Sequence, residues 1–411
     1  AAAAAAAAAA TAVETPQNAS TQKSEEEPEE IQAGQPSVDR DPSTLAQKVA
    51  QDFRRPQLVE PTADFIINRQ DFGMFGGLRP GEKFAVNKAI VARGRAKQKC
   101  GDSADVVYSW NGPCWLKGCT NIAVLCQKGQ KSPDDPTPNQ DNYFVLQLDT
   151  VGIYGVCDGH GPFGHLVSFR LVQTLPHFLT ANKHFGQDWA SAMKEAFLSA
   201  QQDLLDFGSK HGINLEASGA AGSMLVFDGP CVHIAHIGDA GALVASWNRH
   251  QSRLICSTKD HKPQDPEERM RLEAAGSEVR EVDPEHFRIY QAGSVFPGLT
   301  MSRAFGDTAC AGVLQEPSYQ KLFMQPEDEF YAIIASDGIW EFIDYEKAVE
   351  LSAKKLRLKG PIETLGFLTQ ASRKRWAYCC GDYCDDITAV LIQWNAKDKS
   401  DDNYRVTIAA P

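Results

Sequence analysis

Five aspartates stand where predicted β-strands begin or end. They are Asp141, Asp158, Asp239, Asp337 and Asp385. A strand that is buried in a core fixes the direction of its terminal side chain, so acids that are far apart in the sequence can converge on one point. Carboxylate oxygens suit Mg²⁺ or Mn²⁺ better than Zn²⁺. The residues alone leave two interpretations open, a metal-dependent hydrolase and a set of solvated turns.

The segment Asp158-Gly159-His160-Gly161 is the most informative of these positions. A glycine directly after an aspartate lets the backbone turn sharply and direct a carbonyl oxygen at a cation, because glycine has no Cβ. Asp-Gly is also a common turn dipeptide, so this segment by itself predicts a turn. Cys157 points to the opposite side of its strand, towards the core, and a cysteine nucleophile is therefore not expected.

Six segments have the composition of β-strands. The segments are 142–149, 151–157, 231–237, 242–247, 330–335 and 387–394. The first two predict a hairpin, and residues 238–241 between the third and fourth predict a tight turn. The run 330–335 is almost entirely apolar, which is typical of a buried central strand.

Two helices are predicted from apolar residues on one face. Between residues 188 and 209, apolar side chains recur at steps of three or four, which gives a single apolar stripe. A second helix follows the Asp158 turn and carries Leu171, Leu175 and Phe178.

A third helix is predicted from its end signals. Asp265 has the character of an N-cap, Pro266 occupies the first helical position, Glu268 closes a capping box, and Gly276 ends the helix. Long helices that are separate from runs of hairpin strands indicate an α+β fold, with a layered sheet-on-sheet core between helices.

The composition excludes several classes of protein. The chain has 411 residues and a net charge of -12, which argues against a nucleic-acid binder because such proteins need a basic surface. No apolar run reaches the roughly 18 residues of a membrane span. The 11 cysteines have irregular spacings, which indicates reduced thiols rather than a disulfide framework. Cys379, Cys380 and Cys384 lack the paired spacing of a zinc site.

Composition also divides the chain into regions. Residues 1–60 predict a disordered, acidic, low-complexity tail, and residues 61–118 an extension that packs on the domain. Residues 119–395 predict one continuous domain, and 396–411 a C-terminal tail. The chain begins without Met, so prior removal of an N-terminal targeting segment stays an open alternative. We expect the cytoplasm or the nucleus as the compartment, with secretion as the alternative.

Seven short segments occur in one order at fitting separations. They are NQD at 139–141, VCDGHG at 156–161, IGD at 237–239, DHKP at 260–263, GLTMSRAFGD at 298–307, ASDGIW at 335–340 and DDITAV at 385–390. On these segments the chain resembles the metal-dependent type 2C protein serine/threonine phosphatases, the PPM class. The run GPFGH at 161–165 is most similar to plant and protozoan members.

The resemblance implies a fold and an activity. The fold would be two antiparallel sheets packed as a central β-sandwich and flanked by antiparallel helix pairs, in four layers. The activity would be hydrolysis of phosphoserine and phosphothreonine in proteins by a metal-activated hydroxide, without a covalent enzyme intermediate. Two Mn²⁺ or Mg²⁺ ions would be required, because a pair of cations lowers the pKa of water and offsets charge on phosphate oxygens. Residues 262–298 would form a flap beside the cleft that governs substrate choice.

The resemblance also implies metal ligands. Asp158 would bridge both ions, and the carbonyl of Gly159 would bind one of them. Asp337 and Asp385 would complete the protein ligands of the first ion. Asp141 would support the second ion, directly or through water.

Two further roles carry over from the family. Asp239, together with Asp337, would help to form a weaker third metal site, although Glu341 stands where an aspartate often assists. His160 would be the general acid that protonates the leaving oxygen. Such an acid contributes roughly 10²–10⁴ in rate.

The phosphate-binding residue is the point at which this chain departs most from the family. Gln140 stands where many members have glutamate, and the expected basic residue just before it is displaced by a proline-rich insertion. Lys131 is the predicted phosphate contact, and Lys128 is the second choice.

Two alternatives remain for the function. A pseudophosphatase is favoured by Gln140 and the displaced lysine, and disfavoured by His160 and the core acids. A hydrolase of nucleotides or small phosphates would use the same metal chemistry. A kinase is suggested by the sequence 71–73 (DFG), but no other kinase motif accompanies it. The expected partners are phosphoprotein substrates, without nucleic acid or membrane, and the chain is expected to be a monomer.

Overall fold

The structure of the chain is a computed structural model. It describes residues 57–58, 107–111, 119–132, 137–147, 151–229, 231–247, 252–324, 329–394 and 405–410. The predicted tail 1–60, the predicted extension 61–118 and the predicted C-terminal tail 396–411 lie outside the described residues, apart from three short strands.

The strands and helices follow in chain order. The strands are β1 (Gln57–Leu58), β2 (Val107–Asn111), β3 (Cys119–Gln127), β4 (Asp141–Gln147), β5 (Gly152–His160), β6 (Gly219–Phe227), β7 (Cys231–Ile237), β8 (Gly241–Trp247), β9 (Ser252–Ser257), β10 (Ser277–Asp283), β11 (His286–Gln291), β12 (Pro297–Leu299), β13 (Phe305–Gly306), β14 (Ser318–Phe323), β15 (Phe330–Ala335), β16 (Ile387–Trp394) and β17 (Arg405–Ala410). The helices are α1 (Gly164–Thr180), α2 (Trp189–His211), α3 (Pro266–Ala274), α4 (Asp337–Trp340), α5 (Tyr345–Lys359) and α6 (Pro361–Cys380).

Two antiparallel sheets form the centre of the molecule. The first has eight strands in the order β1-β17-β2-β3-β16-β15-β8-β9. The second has the order β14-β7-β6-β5-β4, and β13 pairs with β6 outside this path. A separate three-stranded sheet, β10-β11-β12, lies between α3 and β13 in the chain.

The two large sheets pack face to face, and helices cover their outer faces. In β15, Ala332 and Ile334 lie in the core between the sheets, whereas Tyr331 and Ile333 pack with residues of α5 and α6. Both faces are therefore buried, which explains the unbroken apolar run. Helices α1 and α2 cover the second sheet in the same way. The predicted α+β sandwich between helix pairs is confirmed.

The strand predictions are confirmed in position, but β5 continues through Asp158 and Gly159 to His160, so the turn predicted at 158–161 begins only at Gly161. One feature of the topology was also not predicted. Strands β4 and β5 pair antiparallel as predicted. The turn at 238–241 follows β7 and leads into β8, but these strands belong to different sheets. The turn therefore carries the chain across the sandwich instead of closing a hairpin.

The helix predictions are confirmed in position, but the capping box is wrong. Helix α2 extends two residues beyond the predicted 188–209, and α3 begins at Pro266 with Asp265 as N-cap. The Asp265 side chain makes no capping hydrogen bond. Glu268 points away from the N-cap and contacts Arg303 and Ser302, because charged and hydroxyl donors outcompete one backbone N–H.

In the described part of the chain, no helix is long and apolar enough to cross a membrane.

Candidate active site

An open cleft of ≈ 550 Å³ lies where strands of both large sheets end. The predicted site residues that line it are Lys131, Asp158, Gly159, His160, Asp239, Asp337 and Asp385. Asp141 lies next to this group, because it is the residue opposite Asp158 in the β4–β5 pair. The described structure therefore gathers side chains that are up to about 250 positions apart in the sequence.

Asp141 is held rigidly at the start of β4. Its Oδ2 accepts a hydrogen bond from the Ser336 hydroxyl at 2.7 Å, and its N–H donates to Oδ1 of Asn139 at 2.9 Å. Burial, together with the charge of Asp386, raises the pKa of Asp141 well above its usual range. Ser336 is the N-cap of α4, so this contact links Asp141 to the turn that presents Asp337.

Gly159 is packed so closely that only glycine fits. A Cβ at this position would lie 2.2 Å from the carbonyl oxygen of Gly164 and 2.6 Å from that of Gln140. The Gly159 N–H donates to the same Gln140 carbonyl at 3.1 Å. The backbone beside Asp158 is therefore fixed by contacts from both sides.

The acids of the cleft repel one another; Asp141 and Asp239 are buried, and Asp158, Asp337 and Asp385 are half-buried. Burial raises the pKa of Asp158, and the charges of Asp141, Asp385 and Asp239 raise it further. Burial also raises the pKa of Asp337, with added repulsion from Asp158, Asp385 and Asp239. Several buried carboxylates in one place are costly unless cations neutralise them. A set of hard oxygen donors of this kind fits Mg²⁺ or Mn²⁺.

Lys131 connects Asp385 to Gln140. Its Nζ lies 3.2 Å from Oδ1 of Asp385 and donates to Oε1 of Gln140 at 3.0 Å. Burial alone would raise the pKa of Asp385, but Lys131 and the N–H of Asp386 outweigh burial and lower it. The Gln140 amide donates to the Gly161 carbonyl at 2.6 Å, which directs its oxygen towards Lys131. Glutamine thus holds the lysine without adding a charge.

Lys128, the second candidate for the phosphate contact, lies outside the cleft lining. Its side chain is 1% exposed, and its Nζ lies 3.8 Å from Oδ1 of Asp386. Asp386 also accepts hydrogen bonds from the N–H groups of Gly129 and Gln140, at 2.7 and 2.8 Å. Asp386 therefore joins two loops behind the cleft, and the structure separates the roles of Lys128 and Lys131.

His160 pairs with Asp307. The distance from His160 Nε2 to Asp307 Oδ2 is 2.7 Å. Burial would lower the pKa of His160, but the charge and hydrogen bond of Asp307 outweigh it and raise the pKa. Asp307 has a positive φ of 49°, and a Cβ on Gly219 would lie 2.2 Å from its Oδ2. A glycine in β6 is thus required to admit this carboxylate.

Lys262 occupies the side of the cleft at which the third metal site was predicted. Its Nζ lies 3.0 Å from Oδ2 of Asp239 and 3.4 Å from Oδ2 of Asp260. Burial would lower the pKa of Lys262, but these two carboxylates outweigh it and raise the pKa. Glu341 lines the same cleft. An ammonium group therefore already neutralises Asp239.

Sequence reasoning assigned no role to Asp307, Lys262 or Asp386. Each of them lies in one of the seven segments, so their presence there was the available signal. The segments did not show which side chains they face, because those partners are distant in the sequence.

A family model and several curated proteins match this chain. The family model for protein phosphatase 2C matches residues 135–386, which is more than half of the 411-residue chain. The chain is 27% identical over 317 residues to the probable protein phosphatase 2C 73 of Arabidopsis thaliana, covering 68% of this chain and 82% of that protein. It is 25% identical over 363 residues to the probable protein phosphatase 2C 34 of the same plant, covering 80% and 98%.

The fold is similar to solved structures. Serine-threonine phosphatase 2C from Toxoplasma gondii superposes with a TM-score of 0.59 at 17% identity, covering 71% of this chain and 99% of that chain. At this identity the structural likeness shows a shared fold only. The family model, in contrast, matches the amino-acid sequence of residues 135–386. The chain belongs to the protein phosphatase 2C family, whose members are Mg²⁺- or Mn²⁺-dependent protein serine/threonine phosphatases.

Proposed function

We propose that the cleft is the active site and that it holds two Mg²⁺ or Mn²⁺ ions. Asp158, the Gly159 carbonyl, Asp337 and Asp385 would be the principal ligands, with Asp141 supporting the second ion. When bound, the ions would supply a water of lowered pKa and offset charge on the phosphate oxygens. A third, weaker ion would bind at Asp239 with Asp337, in competition with Lys262.

Lys131 would bind the substrate phosphate. Its ammonium group lines the cleft and is held by Asp385 and Gln140, so it is oriented before substrate arrives. A positioned cation of this kind stabilises negative charge without reorganisation during the reaction. Lys128 is not proposed for this role, because Asp386 holds it behind the cleft.

His160 would protonate the leaving serine or threonine oxygen. Asp307 favours the protonated ring, in which both nitrogens carry hydrogen. Nε2–H is directed to Asp307, and Nδ1–H is the proton that the ring can give to the leaving oxygen. Asp307 would then stabilise the orientation of the ring through the transfer.

The flap proposal rests on the position of residues 262–298. Helix α3 and strands β10 and β11 fall in this segment, and β12 begins in it. Residues 282–283, 285–288 and 297–298 line one wall of the cleft. Val282 lines this wall and is 41% exposed. Apolar groups there would contact side chains on either side of the phosphorylated residue.

We also propose that the protein is a monomer of the cytoplasm or nucleus that acts on phosphoproteins without nucleic acid or membrane. The net charge of -12 supports the absence of a nucleic-acid partner. Light scattering at micromolar concentration tests the monomer.

The observation that carries the active-site proposal is a set of buried and half-buried acids that repel one another in one cleft, together with Lys131 and His160. The test is turnover of a phosphoserine peptide with Mn²⁺, with a chelator, and with Asp337→Asn. We expect chelation to abolish turnover and Asp337→Asn to lower it at least a hundredfold. Asp206→Asn, at an exposed position on α2, is the matched control. Equal turnover in wild type and Asp337→Asn would sink the assignment, and no turnover in wild type would favour the pseudophosphatase.

A further inference from the structure

A second group of metal-binding side chains lies far from the cleft. It consists of Asp228, Cys231 and His233, where β6 leads into β7. Within the described stretches, this is the single group of three His, Cys or acidic residues whose ligand atoms all lie within 4.8 Å of one another. Strand β7 ends at Ile237, just before Asp239, so the group lies about 20 Å from the cleft at 3.3 Å per residue.

The three side chains are held in place by their neighbours. Oδ2 of Asp228 accepts from Trp189 Nε1 at 2.7 Å and lies 3.1 Å from His233 Nε2. Oδ1 of Asp228 accepts from the N–H of Cys231 at 2.9 Å. His233 Nδ1 lies 2.7 Å from the Tyr319 hydroxyl. The aspartate and the histidine are thus fixed by groups that are not ligands themselves.

We propose that Asp228, Cys231 and His233 form a binding site for Zn²⁺ at the end of the sandwich opposite the catalytic cleft. One thiolate, one imidazole and one carboxylate form a donor set that zinc prefers and that Mg²⁺ does not. A water molecule completes the tetrahedral coordination. The Asp228 side chain is 20% exposed whereas that of His233 is 1% exposed, so the ion enters from the aspartate side.

The neighbours of the site suit a metal ligand. A zinc-bound histidine uses one ring nitrogen for the metal and donates its other N–H to a polar group, which fixes the ring. Tyr319 is in position for that role at Nδ1. Trp189, the first residue of α2, holds the carboxylate in the same way through its indole N–H.

The proton balance of binding is simple. Without metal, the Asp228 carboxylate only accepts, so Nε2 carries a proton and donates to it, while the Tyr319 hydroxyl lies 2.7 Å from Nδ1. With metal, Nε2 and the Cys231 sulfur bind the ion, the ring proton resides on Nδ1, and the Tyr319 oxygen accepts it. The thiol proton is released to solvent, and no atom is oxidised or reduced.

An ordinary hydrogen bond between Asp228 and His233 would explain why these two side chains lie together without any metal. That hydrogen bond does not explain the Cys231 thiol, whose sulfur lies within 4.8 Å of the ligand atoms of both residues. The ligands proposed for the catalytic cleft are carboxylate and carbonyl oxygens, whereas this group offers a thiol and an imidazole beside its single carboxylate. The two sites would therefore select different ions from a mixture.

Cobalt is the probe of choice, because a cysteine thiolate bound to Co²⁺ gives a charge-transfer absorption that an all-oxygen site cannot give. The full chain is saturated with Mg²⁺ to fill the cleft and then titrated with Co²⁺. We expect the band to reach its maximum at one equivalent and to disappear when Zn²⁺ is added. Cys231→Ser should abolish it, and His233→Gln should weaken cobalt binding at least tenfold.

Cys256→Ser is the matched control, because this half-buried thiol lies at 2.7 Å from Gln320 Oε1 and outside the group. It should leave the band unchanged. Absence of the band in wild type, or an equal band in Cys231→Ser, would overturn the proposal.

A second measurement needs no variant and so does not depend on folding. Zn²⁺ should slow alkylation of Cys231 in the wild-type chain at least tenfold, as followed by mass spectrometry of the peptide. The exposed Cys379 supplies an internal control whose rate should not change. Equal alkylation of Cys231 with and without Zn²⁺ contradicts the site.

Discussion

Nε2 of His160 lies 2.7 Å from Oδ2 of Asp307, although the two residues are 147 positions apart. The pair joins the end of β5 to the turn after β13. Because Asp307 is 2% exposed, its charge acts on the ring with little screening by water. We infer a positioning role for Asp307, since it contacts the proposed acid.

The first prediction follows from this pair. Asp307→Asn keeps the shape of the side chain but removes its charge, so the ring loses the partner that favours its protonated form. We expect kcat on a phosphoserine peptide to fall about tenfold to a hundredfold, within the range of general acid catalysis, with little change in KM. An aryl phosphate has a good leaving group and serves as the control. A similar loss on both substrates would show that Asp307 only supports the fold.

The second prediction separates the two lysines. Lys131→Met removes a cation from the cleft, and we expect KM for phosphopeptide and the inhibition constant of inorganic phosphate to rise about tenfold, which corresponds to about 1.4 kcal/mol. Lys128→Met should instead lower the thermal midpoint, because it leaves the buried Asp386 without this ion pair. The reverse pattern would assign the phosphate contact to Lys128.

The third prediction concerns the ammonium group beside Asp239. Lys262→Met leaves the acidic cleft with one more uncompensated negative charge, so its cations should bind more tightly. We expect the half-saturating Mn²⁺ concentration to fall about tenfold, with Lys262→Arg close to wild type. Titration of activity against Mn²⁺ measures the effect. An unchanged or higher half-saturating concentration would contradict the neutralising role of Lys262.

The fourth prediction is a dependence of stability on pH that is independent of the active site. Burial would raise the pKa of Glu268, but hydrogen bonds from Arg303, Arg271 and Ser302 outweigh burial and lower the pKa to about 2. The folded-state pKa lies below the unfolded value, so the stabilisation is fully present above about pH 4.5 and is lost as pH falls towards 2.

Glu268→Gln tests this dependence. We expect the variant to be less stable than wild type by about 2–3 kcal/mol at pH 7, since the side chain is only 8% exposed. The difference in the free energy of unfolding between wild type and variant should decrease towards zero as the pH is lowered from 5 to 2. Denaturant titrations at several pH values measure this difference. A difference that stays constant over this range would mean that Glu268 acts through packing and not through charge.

The sequence by itself determined six of the strands, three of the helices and the order of the acids, whereas the long helices α5 and α6 were not predicted. An apolar run such as Phe330–Ala335 is typical of a buried strand, and Asp337, two residues after its end, is then expected at the rim of the core. Local pattern carries this information because side-chain direction along a strand alternates with a fixed period. The family segments then identified which strand ends belong to one site.

The tertiary structure decided the partners of the charged groups. Glu268 satisfies the local rule for a capping box, yet it pairs with Arg303, which is 35 positions away. In the same way Lys131 faces Asp385, and the turn after β7 crosses between sheets. The partner of a charged side chain depends on the distances and the burial of the groups around it in the folded chain. The spacing of residues in the sequence gives neither quantity.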